Sequence, residues 1–168
     1  SKPLFFYRPV KPIDAVITNS VLNSCLFALL LIAIMFVCAI YNEELYFNDF
    51  PLMVLSFTLL VIFSFSAGVI LIIASHRFPP IVKTTRFIRR PLFFTSGVLF
   101  PSVAIPQAAL KFLLWNPLLH AIELARVGSS NGYKIADGIS LNYLIEVTFV
   151  TLLLSMVIYA NNKEILIK

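Results

Sequence analysis

Long apolar runs alternate with short polar stretches along this chain, and their spacing predicts helices of bilayer length. Residues 15–41 open with Thr18, Asn19, Ser20, Asn23 and Ser24 and are apolar from Leu26 to Ile40. Residues 50–75 carry no formal charge; at about 1.5 Å per residue they would make a helix of ~39 Å, enough to cross a bilayer with some tilt. A third charge-free run starts at Pro91, and a last one covers residues 139–160 with a single acid, Glu146. About 20 apolar residues suffice for a span. An all-α integral membrane protein follows, with transmembrane helices at 15–41, 50–75, 91–105 and 139–160. Residues 1–14, 42–49, 76–90, 106–138 and 161–168 connect or flank them.

The third run is unlike the others. Ser96-Gly97 weakens its middle and Pro101 interrupts it, since proline lacks the N–H and clashes with the preceding turn. Pro106 stands where a new helix can start, and residues 106–115 would extend ~15 Å, half a bilayer. Asn116 followed by Pro117 is a good N-cap and first-turn pair, predicting a second short helix that runs to about Val127 and stops at Gly128. On it Leu118, Leu119, Ile122 and Ala125 share one face, and Glu123 and Arg126 can pair on another. Two half-length helices joined by a capped turn either lie flat at the membrane surface or dip in and return. The second arrangement is allowed only where protein or a water-filled cavity receives the turn.

Composition and charge narrow the class and orient the chain. Hydrophobic residues make up 60% and charged residues 12%, against roughly 45–50% and about 25% in soluble domains. The formal net charge of +5 would suggest nucleic acid in a soluble protein; here the charges lie between spans and report topology instead. Of 13 Lys and Arg, Lys111, Arg126 and Lys134 fall within 106–138. The rest lie in 1–14, 76–90 and the C-terminal end. The positive-inside rule then places both ends of the chain in the cytoplasm and 106–138 outside. The opening Lys-Pro-Leu-Phe-Phe-Tyr-Arg reads as an interior segment, so further chain is expected before Ser1. Its aromatic residues suit the headgroup region, and Asp14 offers an N-cap to the helix that follows.

Candidate chemistry is sparse. Asn19 and Asn23, at i and i+4, share a face that either glues helices together or lines a pathway. Glu146 sits about 10 Å into the last span. An acid at that depth faces the bundle or a cavity and usually has a partner, for which Arg126 and the Asn19/Asn23 face are candidates. Ser64 and Gly68 form a small-xxx-small packing pair. Cys25 and Cys38 lack metal or redox spacing and read as buried thiols. His120 and Glu123 at i and i+3 are at most a fragment of a metal site. No phosphate loop, nucleophile elbow or zinc spacing is present, so neither catalytic residues nor a cofactor or metal is expected, and an energy source would lie in another chain or an ion gradient.

Three segments resemble a known family: residues 4–14 (LFFYRPVKPID), 90–98 (RPLFFTSGV) and 115–126 (WNPLLHAIELAR). In this order and separation they are similar to the ABC-2 type inner-membrane permease subunits of capsular polysaccharide ABC exporters, and O-antigen exporters share the last two more loosely. The resemblance implies a six-helix permease working as a homodimer with two ATP-binding subunits. The four spans here would be its third to sixth helices. Tyr7, Arg8, Lys11 and Asp14 would lie near the docked ATPase, and Pro106, Asn116, Pro117, Glu123 and Arg126 would belong to a periplasmic gate. Also implied are a lipid-linked acidic polysaccharide as substrate, contact with membrane lipid and with periplasmic and outer-membrane export proteins, no nucleic acid, and residence in the bacterial inner membrane. A passage for sugar chains wants aromatic faces and amide or hydroxyl groups. Phe93, Phe94, Phe100, Phe112 and Trp115, with the hydroxyls of Thr95 and Ser96, could supply such groups, and Glu146, Asn19 and Asn23 are further candidates for the pathway. A permease for O-antigen or teichoic-acid-type polymers is the near alternative. A membrane enzyme acting on lipid-linked sugars is the distant one, and would need acids or metal ligands gathered at one interface.

Overall fold

The computed structural model of the chain describes residues 17–26, 28, 29, 32, 49–78 and 80–162. Among them every regular element is helical. Residues 17–26 are helical, followed by α1 (Phe50–Arg77), α2 (Ile81–Thr95), a 3-10 turn (Ser102–Ala104), α3 (Gln107–Leu113), α4 (Pro117–Ser129) and α5 (Leu141–Asn162). Within α1 and α5, Phe50–Ser75 and Leu141–Asn162 are long and apolar enough to cross a membrane.

Helix α1 starts where Asp49 Oδ1 accepts the Leu52 N–H at 3.1 Å, with Pro51 in the first turn. Its inward residues are Met53, Ser56, Ser66, Val69 and Ile73, and those of α5 are Leu144, Thr148 and Ser155. The Ser56 and Ser66 hydroxyls donate at 2.8 Å to the carbonyls of Leu52 and Ile62 on their own helix. That satisfies their polar atoms in an apolar setting while keeping the side chains small enough for neighbouring helices to approach. The outer sides of these helices, including Leu55, Leu71, Phe149, Val150 and Leu153, are exposed, as a lipid-facing surface requires. Among the described residues the Ser64/Gly68 pair meets no neighbour: Ser64 is exposed, and a Cβ on Gly68 would meet nothing within 4 Å.

Helix α2 departs from the sequence expectation at both ends. The basic stretch expected as a loop is helical from Ile81 onward, with Lys83 and Arg90 exposed and Pro91 inside the helix. The run expected to span from 91 to 105 leaves the helix at Thr95. There the Ser96 hydroxyl donates to the Phe93 carbonyl at 2.6 Å, and Gly97 turns the chain with φ +75°. A Cβ at Gly97 would stand 2.5 Å from Leu119 Cδ1 on α4. Left-handed φ and close packing therefore both call for glycine here, and the break falls at Ser96-Gly97, ahead of Pro101.

Candidate functional site

The hairpin of α3 and α4 forms much as its prolines and cap predict. The Pro106 carbonyl accepts from the Ala109 and Leu110 N–H groups at 2.9 and 3.0 Å, opening an α3 of only 7 residues. Asn116 caps α4: its Oδ1 accepts the Leu118 N–H at 3.1 Å, and its Nδ2 donates to Thr95 Oγ1 at 3.2 Å, joining the turn to the end of α2.

Helix α4 lies against α1 and α5 and runs opposite to α1. The Asp49 N–H donates to the Gly128 carbonyl at 3.1 Å. A Cβ on Gly128 would come within 2.6 Å of the Asp49 carbonyl oxygen and 2.8 Å of the Met53 nitrogen. Gly128 is therefore a close-approach residue inside α4, and the helix runs on to Ser129. At the other end of the contact, Ala121 and Leu124 join Leu144 of α5 in one cluster, with Leu59, Leu60, Ile139 and Leu141 packed against it. The contact thus moves from Asp49 to Leu60 along α1, a rise of ~15 Å.

The other side of α4 buries charge. Glu123 is 0% exposed, and its carboxylate gathers four donors. They are Ser102 N–H at 3.3 Å, Ser102 Oγ at 2.6 Å, Arg126 Nη1 at 2.6 Å and Tyr133 Oη at 3.1–3.2 Å. Ser102 Oγ also accepts the Ala136 N–H at 3.1 Å, and Arg126 Nη2 donates to the Val98 carbonyl at 2.8 Å. One carboxylate thereby joins the 98–104 turn, α4 and the 133–136 loop. Burial lifts the Tyr133 phenol above its ordinary 10.0, the Arg126 interaction opposes that, and the Glu123 charge adds to the rise. The sequence expectation of a Glu123–Arg126 pair holds, but the polar face it lies on is turned inward. Of the expected apolar face only Leu119 is fully buried, while Leu118, Ile122 and Ala125 are half-buried. The reason is that α4 is covered from two sides, by α1 and α5 and by the turns around Glu123.

His120, 1% exposed, forms a second polar centre. Its Nδ1 accepts the Ser140 N–H at 3.1 Å, and Nε2 lies 2.9 Å from the Leu114 carbonyl oxygen. Its ring lies 4.6 Å from that of Tyr143, whose hydroxyl donates to the Trp115 carbonyl at 2.9 Å. With both ring nitrogens engaged by backbone groups and Glu123 occupied elsewhere, the His120/Glu123 pair is not a metal fragment. Among the described residues no group of three metal-ligand side chains occurs.

Residues 5–129 match the sequence profile of the ABC-2 type transporter family. The chain belongs to that family. It is 37% identical over 161 residues, 96% of its length, to two forms of the polysialic acid transport protein KpsM of Escherichia coli. It is 27% identical over 128 residues, 74% of its length, to the capsule polysaccharide export inner-membrane protein CtrC of Neisseria meningitidis serogroup A. The chain spans 62% of the KpsM length and 47% of the CtrC length.

Within this ABC-2 chain the expected site residues fall into three groups. Asn116, Pro117, Glu123 and Arg126 come together in and beside α4, with Pro106 heading α3. Phe93, Phe94, Phe100, Phe112 and Trp115 are all exposed, with Phe112 at 81% and Trp115 at 82%; Phe93 and Phe94 meet edge to face at 6.1 Å. Glu146 is exposed beside Ile145, Phe149 and Val150, on the face of α5 opposite its buried residues. Arg126 is engaged by Glu123, so it is not the partner of Glu146. Asn19 and Asn23 are exposed, Nδ2 of the second lying 3.5 Å from Oδ1 of the first. Cys25 is a free thiol, exposed where burial was expected because its face of the helix meets none of the other described residues. Tyr7, Arg8, Lys11, Asp14 and Cys38 lie outside the described residues. Ser102, Tyr133 and the bridging role of His120 were not anticipated. Their bonds link residues 10 to 21 positions apart, beyond the reach of helical spacing.

Proposed function

We propose that this chain is the permease part of an ATP-driven exporter that moves lipid-linked capsular polysaccharide across the bacterial inner membrane. ATP hydrolysis belongs to a separate ATP-binding subunit, and the permease works as a homodimer that hands its polymer to periplasmic and outer-membrane export proteins. Membership of the ABC-2 family supports transport. The roles of KpsM in polysialic acid transport and of CtrC in capsule polysaccharide export at the inner membrane supply the substrate class and the location. In this reading the chain has four spans with both ends in the cytoplasm, and residues 107–129 form a re-entrant periplasmic gate.

The observation that carries the gate reading is the lengthwise packing of α4 on α1. If Phe50–Ser75 crosses the bilayer, the contact reaching Leu59 and Leu60 brings the start of α4 to a depth of ~15 Å, about half the hydrocarbon thickness. A helix lying flat on the surface would meet only the first turn of α1. At such depth non-spanning backbone must be covered by protein, and the buried Glu123 and His120 networks provide that cover. The exposed aromatic residues from Phe93 to Trp115 are then free to face a passage or a second permease.

Two measurements test this reading. The full-length permease should co-purify with an ATP-binding subunit encoded beside it, and a permease isolated from its native membrane without any such partner would refute the exporter assignment. Single cysteines at Leu118 and Ser130 should differ in labelling by a membrane-impermeant maleimide from the periplasmic side. Ser130 should react quickly and Leu118 slowly; equal rates would put α4 on the surface.

A further inference from the structure

The contacts of His120 specify one protonation state. A backbone N–H can only donate, so the bond from Ser140 requires a lone pair on Nδ1. The proton of the neutral ring must then sit on Nε2, where it is donated to the Leu114 carbonyl. The two bonds connect the last turn of α3 to the residue just before α5. Ser140 in turn accepts the Tyr143 N–H through its hydroxyl at 3.2 Å, and Tyr143 holds the Trp115 carbonyl. From this geometry we propose that His120 is a proton-operated latch. The neutral ring clamps the Leu114–Trp115 turn to the start of α5, and uptake of a second proton at Nδ1 releases it.

On protonation Nδ1 changes from acceptor to donor and faces the Ser140 N–H, so one bond of the clamp is replaced by two opposed donors. The buried ring must also take up charge or move toward water. Around it, α5 contributes Tyr143 in ring contact and Glu146, which is exposed. Helix α4 contributes Glu123 and Arg126, engaged with each other, and the loop leading to Ser140 contributes Tyr133, bonded to Glu123, and the exposed Lys134 and Asp137. Helix α3 contributes the exposed Lys111, and α1 carries no titratable side chain from Phe50 to Ser75. None of these charged groups is bonded to the ring among the described residues, so a carboxylate does not hold the protonated form in place. Movement of the ring lets go of Leu114 and frees Tyr143, and with them the turn that displays Trp115.

The proposal rests on these contacts and not on the exporter reading, so a failed export assay leaves it standing. The full-length protein in lipid nanodiscs, labelled with nitrogen-15 histidine and with His120 assigned by H120Q, gives the first readout. Near about pH 8 the spectrum should show Nδ1 unprotonated and Nε2 protonated; as the pH is lowered stepwise both should become protonated while the protein stays folded, and a ring that remains neutral until the protein unfolds overturns the proposal. A neutral ring carrying its proton on Nδ1 overturns the proposal. The second readout is the fluorescence anisotropy of Trp115, taken as the difference from the same protein with W115F. It should drop on acidification in the wild type and stay unchanged in H120Q, whose amide can still donate to Leu114 but does not titrate. An anisotropy that ignores pH in the wild type, or falls equally in H120Q, also overturns it.

Discussion

The long apolar helices α1 and α5 and the segment from Ser96 to Ser140 are built by opposite means. Helices α1 and α5 show largely apolar outer faces, Glu146 excepted, and the inward hydroxyls of Ser56, Ser66 and Ser155 are satisfied within their own helix. The 96–140 segment is held by long-range bonds to two buried polar side chains, Glu123 and His120. These helices can tolerate exchange of one apolar residue for another, because lipid accepts any of them. The segment cannot, because Glu123 is fully buried and its carboxylate depends on donors from three separate places in the chain.

Removing an acid from each region tests this difference most directly. Glu123→Ala takes the acceptor from Ser102 and Tyr133 and leaves Arg126 only the Val98 and Phe100 carbonyls, and should cost about 2–3 kcal/mol, the scale for leaving buried donors unsatisfied. Glu146→Ala, at an exposed site, should stay within ~0.5 kcal/mol. Thermal unfolding of the detergent-purified protein reads both, and equal melting temperatures would erase the contrast.

A pair of helical glycines comes next. Gly128→Ala drives a Cβ into the backbone of Asp49 and Met53 and should destabilise by about 1–3 kcal/mol. Gly68→Ala meets open space and should be neutral or stabilise by up to ~1 kcal/mol through helix propensity. The same unfolding measurement checks the opposite signs.

Smaller effects sharpen the picture within the segment. Asn116→Ala loses the cap of α4 and the bond to Thr95, an expected loss of ~1 kcal/mol, visible as faster amide hydrogen exchange at the start of α4. Tyr133→Phe removes one donor from Glu123 and should cost ~1 kcal/mol. The neutral phenol is the form that donates, and its folded value lies above 10.0. Its contribution is therefore whole below the unfolded value of about 10 and is lost as pH rises through the higher folded value. The wild-type minus Tyr133→Phe difference in ultraviolet tyrosinate absorbance should accordingly titrate above 10.0; a midpoint at or below it would contradict the burial of this hydroxyl.

Hydropathy, caps and spacing made a good part of this molecule legible. The run at 50–75 is apolar from end to end and had to be a long helix. Asn116-Pro117 had to start one, because a capping amide and a proline with no N–H to satisfy suit the same turn. The Glu123–Arg126 pair was visible at i and i+3, since neighbouring turns of a helix bring such side chains together. The sequence carries the run from Pro91 on to residue 105 with its interruption at Pro101, because the true stop depends on Leu119, a residue 22 positions beyond Gly97, pressing against it. Gly128 read as a helix end for the same reason: its need for a missing Cβ comes from α1, not from its own helix.

What the amino-acid order determined by itself is the membrane class, the long helices and the capped hairpin, all fixed by solvent preference and by contacts within a few residues. Tertiary structure alone decided which face of α4 turns inward, which acid is buried and which exposed, and which tautomer His120 carries. Those outcomes depend on donors from Ser102, Tyr133 and Ser140 arriving from separate turns, and a buried charge or ring is tolerated only after they have arrived.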